Sequence, residues 1–409
     1  MVTPTARPRD PQPEPASESP GRIALVASSA YPSPGGVEQH VRHVARELVS
    51  RGYAVEVWTV ARDGVPGRNL VDDVPVLRLP APLPARSLRS LAGFTASVPG
   101  AWRAWTDAVR AFRPTLLHVQ CFGPNGVYGL GLARRFGLPL AVSSHGETFM
   151  DEDAVFDQSA LLRVSLRRAI DRAAFVTGCS EYTLADLRAR FGLRDGHVVF
   201  NGVDALAGGP AGEAPLVERG APPEPTVFAI GRLVHVKGMD LLLEAFAAAA
   251  LPPGTRLVIG GDGQELGRLE ASAARLGVAD RVRFLGRLDA DGVVRAMAAA
   301  SVLVVPSRVE AFGIVVLEGW RAGLPVIATV RGGPAEFVTD LGDGVLVDPE
   351  SPESLARAME TVLGDRALAA RLGAAGAERV KAFTWQATVD AYERLYRERV
   401  ALPDTLPAR

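Results

Sequence analysis

At 409 residues the chain is longer than the roughly 250 at which single hydrophobic cores stop growing, so two domains are the starting expectation. A composition of 47% hydrophobic and 22% charged residues is that of a globular protein and excludes a disordered chain. The net charge of −1 excludes the overall basic footprint of a nucleic-acid binder, and two cysteines, Cys121 and Cys179, form neither a disulfide framework nor a metal-ligand spacing, which fits a reducing cytoplasm.

The opening stretch from Met1 to Pro20 is crowded with Pro, Glu, Ser and Arg and lacks the apolar run of a signal peptide, so it reads as a disordered tail. From Arg22 short β-branched runs alternate with helical patterns: Arg22 to Ser29, Val37 to Arg51, then Ala54 to Val60. That alternation predicts βαβ units and a helix-covered parallel sheet. Between Arg86 and Arg113, apolar residues Leu88, Leu91, Phe94, Trp102, Trp105, Val109 and Phe112 interleave with Arg89, Arg103 and Arg110. From Trp102 on the apolar positions recur at helical spacing, which reads as a core face with a solvated basic side; contact with a membrane or a lipid-linked acceptor is the alternative. Further strands are predicted at Thr115 to Gln120, Leu138 to Ser143, Phe175 to Thr177 and Val198 to Phe200.

A Gly, Pro and Ala stretch then marks a linker. Strands resume at Thr226 to Ile230, Arg256 to Ile259, Val282 to Leu285, Val302 to Val305, Val326 to Ala328 and Val345 to Val347, a second Rossmann-like domain. The last helix, about Trp385 to Val400, has no strand to serve and is expected to cross back to the first half. The expected division is a tail over 1–20, a first domain over 21–205, a linker over 206–225, a second domain over 226–383, and a crossover helix and tail over 384–409. No window approaches the roughly 20 apolar residues needed to span a bilayer, so we expect a cytoplasmic protein whose membrane contact, if any, is peripheral at the inner face.

Two open α/β sheets facing each other put ligands at the carboxyl ends of their strands. After the first strand, Gly35-Gly36 opens directly onto a helix; backbone can approach an anion closely there, although a plain helix cap has the same look. In the second half Arg232 and Lys237 flank one loop, and preorganised cations there would stabilise the charge on a departing diphosphate. Lys237 is one of only two lysines, the other being Lys381, among 45 cationic residues. Because helix starts disfavour cations, its place at the start of the next helix suggests a need for a compact point charge. Glu310 and Glu318 bracket Ala311-Phe312-Gly313-Ile314-Val315-Val316-Leu317. Glu310 in the loop can accept from sugar hydroxyls, and Glu318 inside the helix can hold vicinal ribose hydroxyls. The amides of Phe312, Gly313 and Ile314 at the helix start are expected to be free for phosphate or sugar oxygens.

Taken in order, the Gly-Gly loop, the Gly-Arg-Leu-x-x-x-Lys-Gly segment and the Glu-x7-Glu element resemble those of family-four GT-B glycosyltransferases, over residues 22 to 400. The resemblance implies two Rossmann-like domains facing across a cleft, the first binding acceptor and the second nucleotide sugar. It implies that Arg232 and Lys237 bind the donor diphosphate, Glu310 the sugar hydroxyls and Glu318 the ribose, with Gly35 and Gly36 closing over the donor. It also implies retention at the anomeric carbon, without a metal or cofactor. The segment Arg331-Gly332-Gly333-Pro334-Ala335-Glu336 resembles a further loop bordering the donor, and His145 matches a histidine that reaches the donor sugar from the opposite wall. Inositol-phosphate-using members carry threonine directly after that histidine, where this chain has Gly146, which weighs against that acceptor. UDP-sugars are the favoured donors, with GDP-mannose next; the base is expected to be read near Arg283 to Arg287, and the acceptor is an unnamed glycan, lipid-linked or small-molecule hydroxyl.

Three alternatives fit parts of the pattern. A glycoside hydrolase also uses two carboxylates, but it has no diphosphate to neutralise. A non-catalytic nucleotide-sugar-binding protein and a nucleotide-sugar epimerase share the architecture. Glu147 with Asp151-Glu152-Asp153 could suggest a metal site, which the cations and amides of the donor loops make unnecessary.

Overall fold

The computed structural model describes residues 21–30, 35–61, 65–83, 88–151, 155–204 and 224–400, with backbone alone over 88–94. The expected tail over 1–20, almost all of the expected linker, residues 31–34 of the glycine loop and the acidic residues Glu152 and Asp153 lie outside the described residues. The side chains of Leu88, Arg89, Leu91 and Phe94 do as well.

Among the described residues the chain forms two sheets. The first comprises β1 (Arg22–Ala27), β2 (Ala54–Val60), β3 (Gly67–Val71), β4 (Val74–Leu79), β5 (Leu116–Gln120), β6 (Leu140–Ser144), β7 (Phe175–Gly178) and β8 (His197–Val198), in the order β3-β4-β2-β1-β5-β6-β7-β8. The second comprises β9 (Thr226–Ile230), β10 (Arg256–Gly260), β11 (Val282–Phe284), β12 (Val302–Val305), β13 (Val326–Thr329) and β14 (Val345–Val347), in the order β11-β10-β9-β12-β13-β14. Strands β5, β6, β12 and β13 are buried at every position, as continuous apolar runs are when helices cover both faces of a parallel sheet.

One departure from the sequence expectation is the antiparallel hairpin β3–β4 at the edge of the first sheet, where no strand was expected. Its two turn residues, Asp72 and Asp73, have φ of 50° and 62°, a turn whose twist matches that of the paired strands and that Asp tolerates better than most residues. Arg42 clasps the Asp72 carboxylate at 2.6 and 3.2 Å. A second departure is β8, which ends at Val198 instead of running to Phe200. The Phe200 carbonyl is drawn away to accept from Thr388 Oγ1 at 2.9 Å.

The helix Leu88–Phe112 presents Ala101, Trp105, Ala108, Val109 and Phe112 to the core and leaves Arg103 and Arg110 exposed, so from Trp102 on the core-face reading holds. Trp105 stacks on Tyr128 with ring centroids 5.4 Å apart. The last helix, Trp385–Leu395, crosses back to the first sheet as expected. Its Val389, Tyr392 and Leu395, with Tyr396, join one buried cluster with Ile23 and Leu25 of β1. Arg51 pins the crossover from outside, with Nη1 2.6 Å from both Asp390 and Glu393. Among the described residues no helix is long and apolar enough to cross a membrane.

Candidate active site

The second-sheet wall is built from the loops that follow β9, β12 and β13. Lys237 does not begin a helix as the sequence suggested. It closes a short 3-10 turn, His235–Lys237, and the helix proper starts at Met239. The reason is Gly238, held in the left-handed region at φ 64°, where a Cβ would lie 2.1 Å from the Pro306 carbonyl oxygen. Without a side chain, the chain presses against the end of β12 and delivers Lys237 to Glu310: Nζ lies 2.6 Å from Oε2. Ser307 Oγ donates to the same oxygen at 2.8 Å. The pair is well shielded, with side chains 18% and 8% exposed.

Glu310 is fixed through its backbone too. Its amide donates to Arg331 O at 3.0 Å, and its carbonyl accepts from Gly333 N at 2.8 Å, which zips the β12 and β13 loops together. Four residues on, the helix Ile314–Arg321 begins; its first amides have no i−4 partner within the helix and would offer an anion the positive end of the dipole. Glu318 lies in this helix, half-buried, and burial pushes its carboxyl above the usual range, opposed by Arg321. Arg232 is exposed and makes no ion pair among the described residues.

The first-sheet wall meets this one at two points. A Cβ on Gly36, at the start of the helix Gly36–Ser50, would stand 3.5 Å from Ile314 Cδ1, so the glycine loop abuts the start of the Glu318 helix. Behind it the buried Glu38 carboxylate accepts from Ser29 Oγ. On the other side, Gly146 has φ 91°, and a Cβ there would come within 2.6 Å of Ala311 Cβ, next to Glu310. His145 precedes it at the carboxyl end of β6, its amide donating to Glu147 Oε2 at 2.7 Å. Burial drives its imidazole well below the ordinary range, and His40 and His118 push the same way, so the ring is neutral.

Gly36, His145, Lys237, Glu310 and Ile314 thus come to one cleft between the sheets, with Gly35, Phe312, Gly313 and Glu318 adjoining them in the chain. Several contacts at this junction are not visible in the sequence, including those of Glu336, in the loop resembling a donor border, and of Glu147, which the sequence offered only as part of a metal site. Ser180 Oγ donates to the Ala311 carbonyl at 2.6 Å across the sheets. Glu336 accepts from the amides of Glu181 and Tyr182, both at 2.7 Å, capping a first-sheet helix from the second sheet. The loop from Arg331 to Glu336 therefore ties the walls together at its far end, while Arg331 itself pairs with Asp348 and Glu350. Glu147 accepts from Phe122 N at 2.9 Å and Ser144 Oγ at 3.0 Å as well as from His145, so it braces the histidine loop. Gln120, which reads in the sequence only as a strand end, has its Oε1 2.9 Å from His145 Nε2. Apart from the local contacts of Glu147 with Ser144 and His145, these contacts join distant segments, so spacing in the chain carries no sign of them.

Both halves of the chain match known families. The model described as glycosyl transferases group 1 covers residues 217–379, and that described as Glycosyltransferase Family 4 covers residues 34–205. The D-inositol 3-phosphate glycosyltransferase of Nocardiopsis dassonvillei is 32% identical over 95% of this chain and 96% of its own length. Among solved structures, sucrose-phosphate synthase from Thermosynechococcus elongatus is similar with a TM-score of 0.75 and 25% identity, covering 94% of this chain and 100% of that one. Anabaena HepE, solved in complex with UDP and glucose, shares the fold with a TM-score of 0.70 and 21% identity, covering 91% and 98%. With two facing parallel sheets, a crossover helix and relatives aligned from end to end, the chain belongs to the family-four glycosyltransferases of the GT-B fold.

Proposed function

We propose that this glycosyltransferase moves a sugar from a UDP-sugar to a hydroxyl acceptor with retention at the anomeric carbon and without a metal. The observation that carries the reading is the shielded Lys237–Glu310 pair beside the first amides of the helix Ile314–Arg321. Lys237 and Arg232 would neutralise the leaving diphosphate, and the helix amides would add donors to its oxygens. Glu310 would use its free carboxylate oxygen on the donor sugar hydroxyls, and Glu318 would hold the ribose. Gly35 and Gly36 would close over the donor, and His145 would reach the sugar from the opposite wall.

The reaction we favour is front-face displacement. The bond from the anomeric carbon to the diphosphate oxygen breaks, the acceptor oxygen bonds to the same face, and its proton passes to the leaving diphosphate. What supports it is that the first-sheet carboxylates nearest the cleft are committed elsewhere: Glu38 to Ser29 Oγ, and Glu147 to two backbone amides and a serine hydroxyl. Neither is free to act as a nucleophile. UDP is favoured over GDP because HepE, of the same fold, is solved with UDP.

Inositol phosphate is disfavoured as the acceptor. With φ at 91° and Ala311 pressed against it, position 146 does not accept the threonine side chain that the resemblance associates with that acceptor. Membrane contact, if made, is peripheral. Incubation with UDP-glucose, UDP-galactose, UDP-N-acetylglucosamine and GDP-mannose, followed by proton NMR of the first sugar product released, tests the proposal. An α product from an α-linked UDP-sugar is expected; a β product, or strict dependence on a divalent cation, would overturn it.

A further inference from the structure

Behind the cleft histidine the first sheet encloses a chain of polar side chains that the donor site does not use. His118 and Gln120 of β5, Ser143 of β6 and Tyr392 and Tyr396 of the crossover segment are all fully buried or nearly so. The sheet register places Gln120 beside Ser143, so the last residue of β5 faces the residues just before His145. Gln120 Oε1 lies 2.9 Å from His145 Nε2, and Gln120 Nε2 lies 3.1 Å from His118 Nε2. His118 Nδ1 in turn lies 2.8 Å from the Tyr396 hydroxyl.

Hydrogen-bond chemistry restricts how such a chain can be protonated. An amide oxygen only accepts and an amide nitrogen only donates. With the Gln120 oxygen toward His145, the His145 Nε2 must carry the proton. With the Gln120 nitrogen toward His118, His118 Nε2 must be the acceptor, and its Nδ1–H donates to Tyr396. Burial keeps both rings neutral, lowering His118 to about 3 and His145 well below its ordinary value, so each ring has one proton to place and one tautomer to choose.

We propose that Gln120 is a positioning residue for the transfer reaction: it holds the His145 imidazole as the Nε2–H tautomer and leaves Nδ1 as the acceptor for a hydroxyl of the bound donor sugar. The proposal rests on the reading of His145 as a donor-sugar contact. Neutral imidazole offers one acceptor nitrogen, and the other tautomer would present Nδ1–H instead, reversing the hydrogen bond so that the sugar hydroxyl accepts and its own proton turns elsewhere. The relay also explains why a glutamine is buried at the end of a strand, next to a histidine whose ring is in turn fixed by a tyrosine of the crossover segment.

Protein labelled with 15N at its six histidines makes the tautomers visible by long-range proton–nitrogen correlation, and the His145 signals are those missing from His145→Gln. Wild-type protein is expected to show His145 as the Nε2–H tautomer. Gln120→Leu is expected to shift it to a mixture and to lower kcat by about 10-fold, the loss of one hydrogen bond at the upper end of its net worth. Gln120→Glu, which keeps an acceptor oxygen toward His145, is expected to restore Nε2–H. Equal nucleotide-induced stabilisation of Gln120→Leu and wild type identifies a folded donor site; where Gln120→Leu does not fold, Gln120→Asn, which withdraws the amide by one carbon, makes the same comparison. An Nδ1–H tautomer in the wild type, or an unchanged tautomer in Gln120→Leu, overturns the proposal. Wild-type turnover in His145→Gln overturns the underlying reading instead, and is told apart because the tautomer shift in Gln120→Leu persists.

Discussion

Lys237 Nζ sits 2.6 Å from Glu310 Oε2, joining residues 73 positions apart in the chain. The contact couples the two groups proposed to bind the donor, the lysine to its diphosphate and the glutamate to its sugar. Lys237→Ala and Glu310→Gln are each expected to cut turnover by about 100-fold or more, the loss seen when one preorganised charge contact is removed. Lys237→Arg is expected to restore little, because a planar guanidinium does not replace a compact ammonium. Steady-state rates of donor consumption give the comparison.

Gly238 makes that contact geometrically feasible, so its replacement is expected to act on both stability and activity. Gly238→Ala forces a side chain into the left-handed region, at about 1–2 kcal/mol, and adds a Cβ 2.1 Å from the Pro306 carbonyl. The urea midpoint is expected to fall, with turnover falling further than the stability loss alone would explain. An unchanged midpoint would show that the loop does not need its glycine.

The buried histidines predict an acid-sensitive fold. His40 is lowered to about 4 and His118 to about 3, in both cases chiefly by burial. In the unfolded chain both titrate near 6.5, so the unfolded state binds more protons between pH 6.5 and 4. Stability is then full above pH 6.5 and falls with pH, by about 1.4 kcal/mol per unit for each histidine. Glu147 and Glu318, whose carboxyls burial pushes up, hold protons more readily in the folded state and oppose the trend. The difference between wild type and His118→Gln in urea unfolding at pH 7, 6 and 5 isolates the histidine contribution, and the variant is expected to show the shallower loss.

The crossover helix is expected to stabilise the first half through its apolar side and hardly at all through its ion pairs. Leu395→Ala removes a buried side chain from the cluster shared with Ile23 and Leu25, and should cost about 2–5 kcal/mol. Arg51→Ala, at a partly exposed site, should cost at most about 1 kcal/mol despite its contacts with Asp390 and Glu393. Urea unfolding of the two variants ranks them.

The two parallel sheets were legible because strands such as Val302–Val305 and Val326–Thr329 are unbroken apolar runs between helical patterns. The β3–β4 hairpin was not, since an edge pair that is half exposed has no such run; the Asp72-Asp73 pair between two short alternating stretches was its one signal. At the site, the residues within each loop were legible because glycines, cations and carboxylates stand out at strand ends. The partners that orient them were not. Gln120 reaches His145 only because β5 and β6 are neighbours in the sheet, and strand order is not written in local spacing. The same holds for Ser180 on Ala311 and Glu336 on the amides of Glu181 and Tyr182, contacts that exist only once the two sheets face each other.

A nucleoside-diphosphate site organised around Lys237 underlies the proposed reaction. Thermal unfolding with UDP, GDP, ADP and TDP in turn, each at about 100 times its dissociation constant, tests it, because binding at that excess adds roughly 2.7 kcal/mol. A raised midpoint with UDP that is lost in Lys237→Ala is expected. No shift with any of the four, or a shift that survives in Lys237→Ala, would contradict it.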